Sequence, residues 1–302
     1  MAGSSAIEWT DATYNPITGC TVISPGCTNC YAMKLAGTRL RNHPSRKGLT
    51  KVVNDRSVWT GEVRLNEAWI DQPIKWKSPR QIFVCAHGDL FHERVQGSWQ
   101  DRIFDVMERA DWHTYQVLTK RSERQRKYIE MRYAGRSVPT HIWLGVSVED
   151  QRYADARREN LAAIAKLGAI TFCSYEPALG LVDWTGWEFL RWLISGGESG
   201  PRPAHPDWFR VARNFCASNG IRYFHKQNGS WTVIVDRDVT DPDWRADYGV
   251  VNRKPDYQIL NLAGGIGFHG ERVHLMRRVG KKIAGRLLDG VEHNEFPTPR
   301  AL

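Results

Sequence analysis

Long apolar runs are missing from this chain of 302 residues. No stretch approaches eighteen apolar residues, so no membrane-spanning helix is expected. The opening "MAGSSAIEWTDATYNP" has neither a charged start nor an apolar stretch, so no secretory leader is expected. Cysteine is scarce, with six in all. In the cytoplasm that these absences imply, thiols stay reduced, and structural disulfides are not expected. Internal repeats and low-complexity tails are absent from the sequence. Negative charge is in deficit: 33 Asp and Glu stand against 42 Lys and Arg, a net charge of +9. That balance favours a polyanion such as nucleic acid as partner.

What remains is ordinary for a soluble globular chain, 41% hydrophobic and 25% charged. Short apolar runs recur at "QIFVCA" (81–86), "TYQVLT" (114–119), "HIWLGVSV" (141–148), "AITFCSY" (169–175), "RWLISGG" (191–197) and "IRYFHK" (221–226). They are rich in β-branched and aromatic residues and almost continuously apolar, as strands buried on both faces are. Helical spacing fills the gaps at 97–110, 151–168 and 206–220. With one more strand near Tyr14–Thr18, about seven strands alternate with helices. The expected class is α/β, a full or partial (β/α) barrel, with an open doubly wound sheet as the alternative. Residues 1–230 are expected to form the barrel domain, with a basic, poorly periodic insertion at about 32–80. Residues 231–302 are expected as a C-terminal extension, with a lid or small subdomain at about 230–270 and a basic helix at 277–290.

Active sites of parallel α/β folds sit at the C-terminal strand ends, and those ends are polar here. Asp89 follows the 81–86 run, Lys120 and Arg121 follow 114–119, and Ser147 closes 141–148. Glu176 follows 169–175, and Gly196, Gly197 and Glu198 follow 191–195. Asp89, Glu176 and Glu198 are the candidate catalytic carboxylates. For each, a helix-start charge is the plainer reading.

Half of the cysteines lie in "TGCTVISPGCTNCYA", where Cys20, Cys27 and Cys30 have the spacing C-x6-C-x2-C. A structural zinc site closes with four ligands, and a fourth would be His43, His87 or His92. A single catalytic thiol leaves two cysteines without a role, and a C-x-x-C redox pair leaves Cys20 without one. A [4Fe–4S] cluster on three thiolates keeps one iron open for a small molecule. Cys85, Cys173 and Cys216 sit in apolar patterns and are expected as buried packing residues.

The blocks "EWTDATYNPITGCTVISPGCTNCYA", "FVCAHGDLFHE", "QVLTKRSER", "WLGVSVEDQ", "YEPALG", "ISGGESGP", "HPDWFR" and "FHKQNG" resemble a three-cysteine, radical-SAM-like family of phages and bacteria. The resemblance runs from about residue 7 to 230, with "GKKIAGRLLDG" near the end. "CTNCYA", "LTK" and "VS" are more distantly similar to spore photoproduct lyase, a radical SAM enzyme acting on thymine in DNA. The resemblance implies a barrel of the radical SAM type, a [4Fe–4S] cluster on Cys20, Cys27 and Cys30, and S-adenosylmethionine (SAM) held by Tyr31, Lys120 and Ser147. Gly196 and Gly197 stand as further SAM contacts, although they follow about the sixth strand where the superfamily pattern places them after the second. The first cysteine gap is also three residues longer than usual.

The function so implied is generation of a 5′-deoxyadenosyl radical that modifies or rearranges a nucleic-acid base, a modified thymine of phage DNA, with an external electron donor and no membrane partner. Lesion repair, a small-molecule substrate and a DNA-binding protein with a structural cluster are the alternatives. In "RLRNHPSRKGLTK", Arg39, Arg41, Arg46, Lys47 and Lys51 are expected to follow a phosphate backbone, with Trp59 or Trp69 near enough to stack on a base.

Overall fold

The computed structural model describes residues 5–237, 254–265 and 273–297. Seven strands carry the fold: β1 (Ala12–Tyr14), β2 (Gln81–Val84), β3 (Thr114–Thr119), β4 (Ile142–Ser147), β5 (Ile170–Tyr175), β6 (Trp192–Gly196) and β7 (Arg222–Gln227). They form one sheet whose order follows the chain from β1 to β7. A doubly wound sheet reverses its order at a switch point. No reversal occurs here, and β1 and β7 are the two ends of the order, so the topology is that of a partial (β/α) barrel.

The chain divides into two compact units. The first holds residues up to 147 and 157–172. In it β1, β2, β3 and β4 pair in parallel, with Tyr14 opposite Val84 and Val84 opposite Val117. Every residue of β4 is buried, as a strand covered on both faces requires. Helix α2 (Gly97–Arg109) buries Ile103, Phe104, Val106 and Met107 along one stripe, and α3 (Ser122–Arg132) buries Tyr128 and Ile129. Asp11 holds the start of β2 by accepting the Gln81 N–H at 2.8 Å.

The insertion is more ordered than its weak periodicity suggests. Helix α1 (Tyr31–Gly37) is followed by a hairpin of Thr50–Val53 and Arg56–Trp59. Asn54 and Asp55 form its tip at φ 47° and 57°, left-handed values that Asn and Asp tolerate in two-residue hairpin turns. Trp59 packs with Ala32, Met33, Ala36 and Leu49 in a small core that also receives Cys20 and Cys30. Trp59 is only 6% exposed, so the stacking role expected for it is excluded by packing. Arg46, expected to follow a phosphate backbone, is only 4% exposed.

The second unit holds residues 148–156 and 173–297. In it β6 pairs in parallel with β7. Helix α4 (Pro206–Asn219) starts at His205, whose side chain accepts the Asp207 N–H, with Pro206 opening the first turn. It ends at Gly220 in the left-handed region. A three-stranded antiparallel sheet follows: β8 (Trp231–Arg237), β9 (Tyr257–Asn261) and β10 (Val273–Arg278), with β10 central. Much of the lid expected at 230–270, namely 238–253 and 266–270, lies outside the described residues. The basic helix expected at 277–290 is not continuous: Arg277 and Arg278 belong to β10, and only Lys281–Ala284 is helical. Gly280 and Gly285, at φ 85° and 68°, bracket that single turn. Among the described residues no helix is long and apolar enough to cross a membrane.

Candidate metal and cofactor site

The cysteine loop leaves the sheet just past β1. The Gly19 N–H donates to the His87 carbonyl at 3.1 Å, and Gly19 bridges Gly88 in parallel. Gly19 has φ 95°, and a Cβ there would strike the Glu62 carbonyl, so the turn into Cys20 needs glycine. A 3-10 turn at Pro25–Cys27 follows, and Cys30 precedes α1.

All six cysteines are free thiols. Cys20, Cys27 and Cys30 are half-buried, and Cys85, Cys173 and Cys216 are buried as expected. One tetrahedral zinc with Zn–S bonds of about 2.3 Å would hold its sulfurs about 4 Å apart. The three loop sulfurs are not gathered within 4.8 Å of one another. The Cys20 thiol is pushed up to about 12 by burial and then by the Asp89 carboxylate, while Arg121 opposes the rise. Burial also raises Cys30, against the backbone N–H groups of Met33 and Ala32 and the charge of Lys120.

Arg121 organises the edge of the loop. Its Nη1 lies 3.0 Å from Asp89 Oδ2 and 3.6 Å from Cys20 Sγ. Its Nε donates to Glu93 at 2.8 Å, and its Nη2 to Thr21 Oγ1 at 2.5 Å. Asp89 is enclosed and saturated: it also accepts from Thr119 Oγ1 at 2.7 Å and from the Phe91 N–H at 2.9 Å. Its place is that of an anchor for Arg121. His92 Nε2 lies 3.3 Å from Thr21 Oγ1, and its Nδ1 accepts the Arg94 N–H. Arg121 stood next to Lys120 in the block "LTKRSER", yet periodicity offered no sign that it turns toward a cysteine.

Tyr31 is exposed, and its hydroxyl donates to the Ala86 carbonyl at 2.7 Å. The preceding residue, Cys85, sits at φ 58°, a left-handed conformation costing about 1–2 kcal/mol for a non-glycine residue. Lys120 follows β3 and lowers the Cys30 pKa through its charge. Ser147 ends β4, with its carbonyl accepting from Arg157 at 2.5 Å.

The second unit gathers Glu176, Gly196, Gly197, Lys226 and Gln227. Glu176 accepts from Lys226 Nζ at 2.8 and 3.0 Å and from Gln227 Nε2 at 2.9 Å. A Cβ on Gly197 would lie 2.5 Å from the Asn228 carbonyl, so this crossing of backbones admits only glycine. Glu198 is 6% exposed and pairs with Arg202, whose Nε lies 3.1 Å away. Lys226 and Gln227, polar residues at the end of β7, complete the Glu176 set.

Strand order and cysteine loop together define a partial (β/α) barrel bearing three free thiols past its first strand. The chain belongs to the family described as protein of unknown function DUF5131, whose model matches residues 4–297. Among curated proteins, none matches the sequence. Solved structures of similar fold include a spore photoproduct lyase variant with bound AdoMet and dinucleoside spore photoproduct. It is 11% identical, covering 91% of this chain and 71% of that one, with a TM-score of 0.40. Spore photoproduct lyase complexed with dinucleoside spore photoproduct is another, at 13% identity, 92% and 71% coverage and a TM-score of 0.37. A likeness this remote supports no argument about chemistry.

Proposed function

We propose that this chain is a radical SAM enzyme that modifies or rearranges a nucleic-acid base, a modified thymine of DNA. The observation that carries the reading is the loop of three free, half-buried thiols just past β1, with the Arg121 guanidinium 3.6 Å from Cys20 Sγ. Bound there, a [4Fe–4S] cluster and SAM supply a carbon-centred radical able to abstract hydrogen.

The chain's own residues do the holding. Arg121 sets its positive charge against Cys20 and favours the thiolate that a metal requires. Trp59 and Met33 form an apolar floor beneath Cys20 and Cys30, which keeps water from that side. Lys120, close enough to act on Cys30, is suited to the carboxylate of an amino acid. Tyr31 and Ser147 are the further SAM contacts that the sequence resemblance implies. Glu176, held by Lys226 and Gln227, is the candidate catalytic carboxylate of the second unit.

The net charge of +9 supports a nucleic-acid substrate. The burial of Arg46 favours a second reading, in which a free nucleotide rather than polymeric DNA is taken. One experiment separates the two: incubate the reconstituted protein anaerobically with SAM, reductant and either DNA or free nucleotides, then digest and analyse nucleosides by mass spectrometry. Altered nucleosides from DNA support the first reading, and altered free nucleotides alone support the second. No change in either substrate contradicts base modification.

A further inference from the structure

Arg46 is a buried cation with no counter-ion among the described residues. It is 4% exposed. Its Nη1 donates to Ser45 Oγ at 2.6 Å and reaches the Ser45 carbonyl at 3.5 Å. Its Nε is enclosed and has no hydrogen-bond partner among the described residues. Its Cζ stands 6.0 Å from the centre of the Trp69 ring. Among the described residues no carboxylate pairs with it, and the charge that acts on it is that of Arg64, of the same sign. A guanidinium carries five N–H donors, and burying one unpaired costs more than an apolar residue of like volume would.

His87 lies on another segment tied to the same stretch of chain, and the charge of Arg46 acts on it. Thr18 Oγ1 donates to the Ser45 carbonyl at 2.7 Å, and the next residue, Gly19, donates its N–H to the His87 carbonyl at 3.1 Å. Ser45–Arg46 and His87 therefore hang on two successive residues, directly before Cys20. The His87 Nδ1 is enclosed and, like Arg46 Nε, has no partner among the described residues. Its ring centre lies 5.9 Å from that of Tyr31. Burial and then the charge of Arg46 push the His87 pKa down to about 4, so the ring is neutral near pH 7 and can carry its proton on Nδ1.

We infer that Arg46 and His87 form a binding site for an oxyanion, the carboxylate or phosphate of the substrate, beside the cysteine loop. Both unserved groups can act as donors, and an oxyanion offers the several lone pairs they lack while neutralising the guanidinium. The near-complete burial of Arg46 admits one inserted group rather than a run of backbone phosphates. The inference deepens the proposed function by giving the substrate a charged handle, and it rests on that reading only for the handle's source.

The test uses the full chain, purified without oxygen and without SAM. Sodium phosphate, sodium acetate and thymidine 5′-monophosphate are titrated by calorimetry and by thermal unfolding, with sodium chloride at matched ionic strength as control. Saturable binding of phosphate and of the monophosphate identifies a phosphate handle, and saturable binding of acetate alone identifies a carboxylate. In either case Arg46→Met weakens binding about tenfold or more, and without added anion it raises Tm, because an unpaired buried cation is gone. His87→Phe, which keeps the ring beside Tyr31, weakens binding by less. If Arg46→Met does not fold, Arg46→Lys carries the test: it keeps the charge, loses the fork, and weakens binding. The inference is overturned if no anion binds better than chloride, or if the Arg46 variant binds unchanged. Formation of 5′-deoxyadenosine is read separately, so loss of the anion site and loss of radical chemistry are told apart.

Discussion

Arg121 and Asp89 form a buried ion pair at 3.0 Å, with the side chains 4% and 7% exposed. The same guanidinium nitrogen lies 3.6 Å from Cys20 Sγ. The pair joins the end of β3 to the cysteine loop. Removing one partner leaves a buried charge, which costs about 3–5 kcal/mol. Arg121→Met is expected to lose that much in chemical denaturation and also to retain less iron after reconstitution. Asp89→Asn keeps the volume and is expected to lose less of both. An Arg121→Met protein with full iron content would show that the pair serves the fold alone.

Cys20, Cys27 and Cys30 each supply one cluster ligand in this account. Replacing any one with alanine is expected to abolish the visible absorbance and the bound sulfide of the reconstituted protein. Cys216→Ala, in the core of the second unit, is expected to leave both intact. Full retention of iron and sulfide in a loop variant contradicts the ligand assignment.

The floor under the loop gives a third expectation. Trp59→Ala opens a cavity beneath α1 and is expected to cost roughly 3–5 kcal/mol. Cluster loss on exposure to a chelator is expected to quicken, because Cys30 loses its packing. Trp59→Phe fills most of the space and is expected to restore both.

Acid stability reports on His225. It is fully buried between Ser195 Oγ at 2.8 Å and Asn228 Oδ1 at 2.9 Å. Burial, chiefly, pushes its pKa down to about 4, against about 6.5 unfolded. The folded state prefers the neutral ring, so its stabilisation is complete above about pH 6.5 and is lost as pH falls toward 4. Resistance to urea is expected to fall across that window by on the order of a few kcal/mol. His225→Gln flattens the slope in part, since His87 is depressed in the same way. A wild-type slope equal to that of His225→Gln excludes the assignment.

Nucleic-acid contact by the insertion falls to its exposed cations Arg39, Arg41, Lys47 and Lys51 rather than to Arg46, and Lys47 and Lys51 test it. Charge reversal at both is expected to flatten the salt dependence of DNA binding by about one unit of slope per lost phosphate contact. An unchanged slope removes Lys47 and Lys51 from the interface.

The barrel strands were legible because their apolar runs are continuous, and β3 begins and ends where "TYQVLT" does. The cysteine loop was legible because sequence spacing alone brings three thiols into one turn. The hairpin in the insertion was missed although "VVNDRSVW" carries its signal, an Asn-Asp tip between β-rich arms; the surrounding positive charge read as a solvated loop. Arg46 was misplaced for the same reason: composition places arginine outside, and only the fold shows Thr18 drawing Ser45 inward. The C-terminal helix failed because Gly280 and Gly285 break it, and because Arg277 and Arg278 are claimed by strand pairing that no local pattern shows. Arg121 was seen as a strand-end cation, but its aim at Cys20 depends on Asp89, thirty-two residues earlier.

The central claim is that the loop supports radical SAM chemistry. The most direct measurement is chromatography for 5′-deoxyadenosine after anaerobic reconstitution with iron and sulfide, followed by SAM and a strong reductant. The account predicts 5′-deoxyadenosine from the wild-type chain and none from Cys27→Ala. A wild-type protein that holds its cluster, is fully reduced, and leaves SAM intact would contradict it.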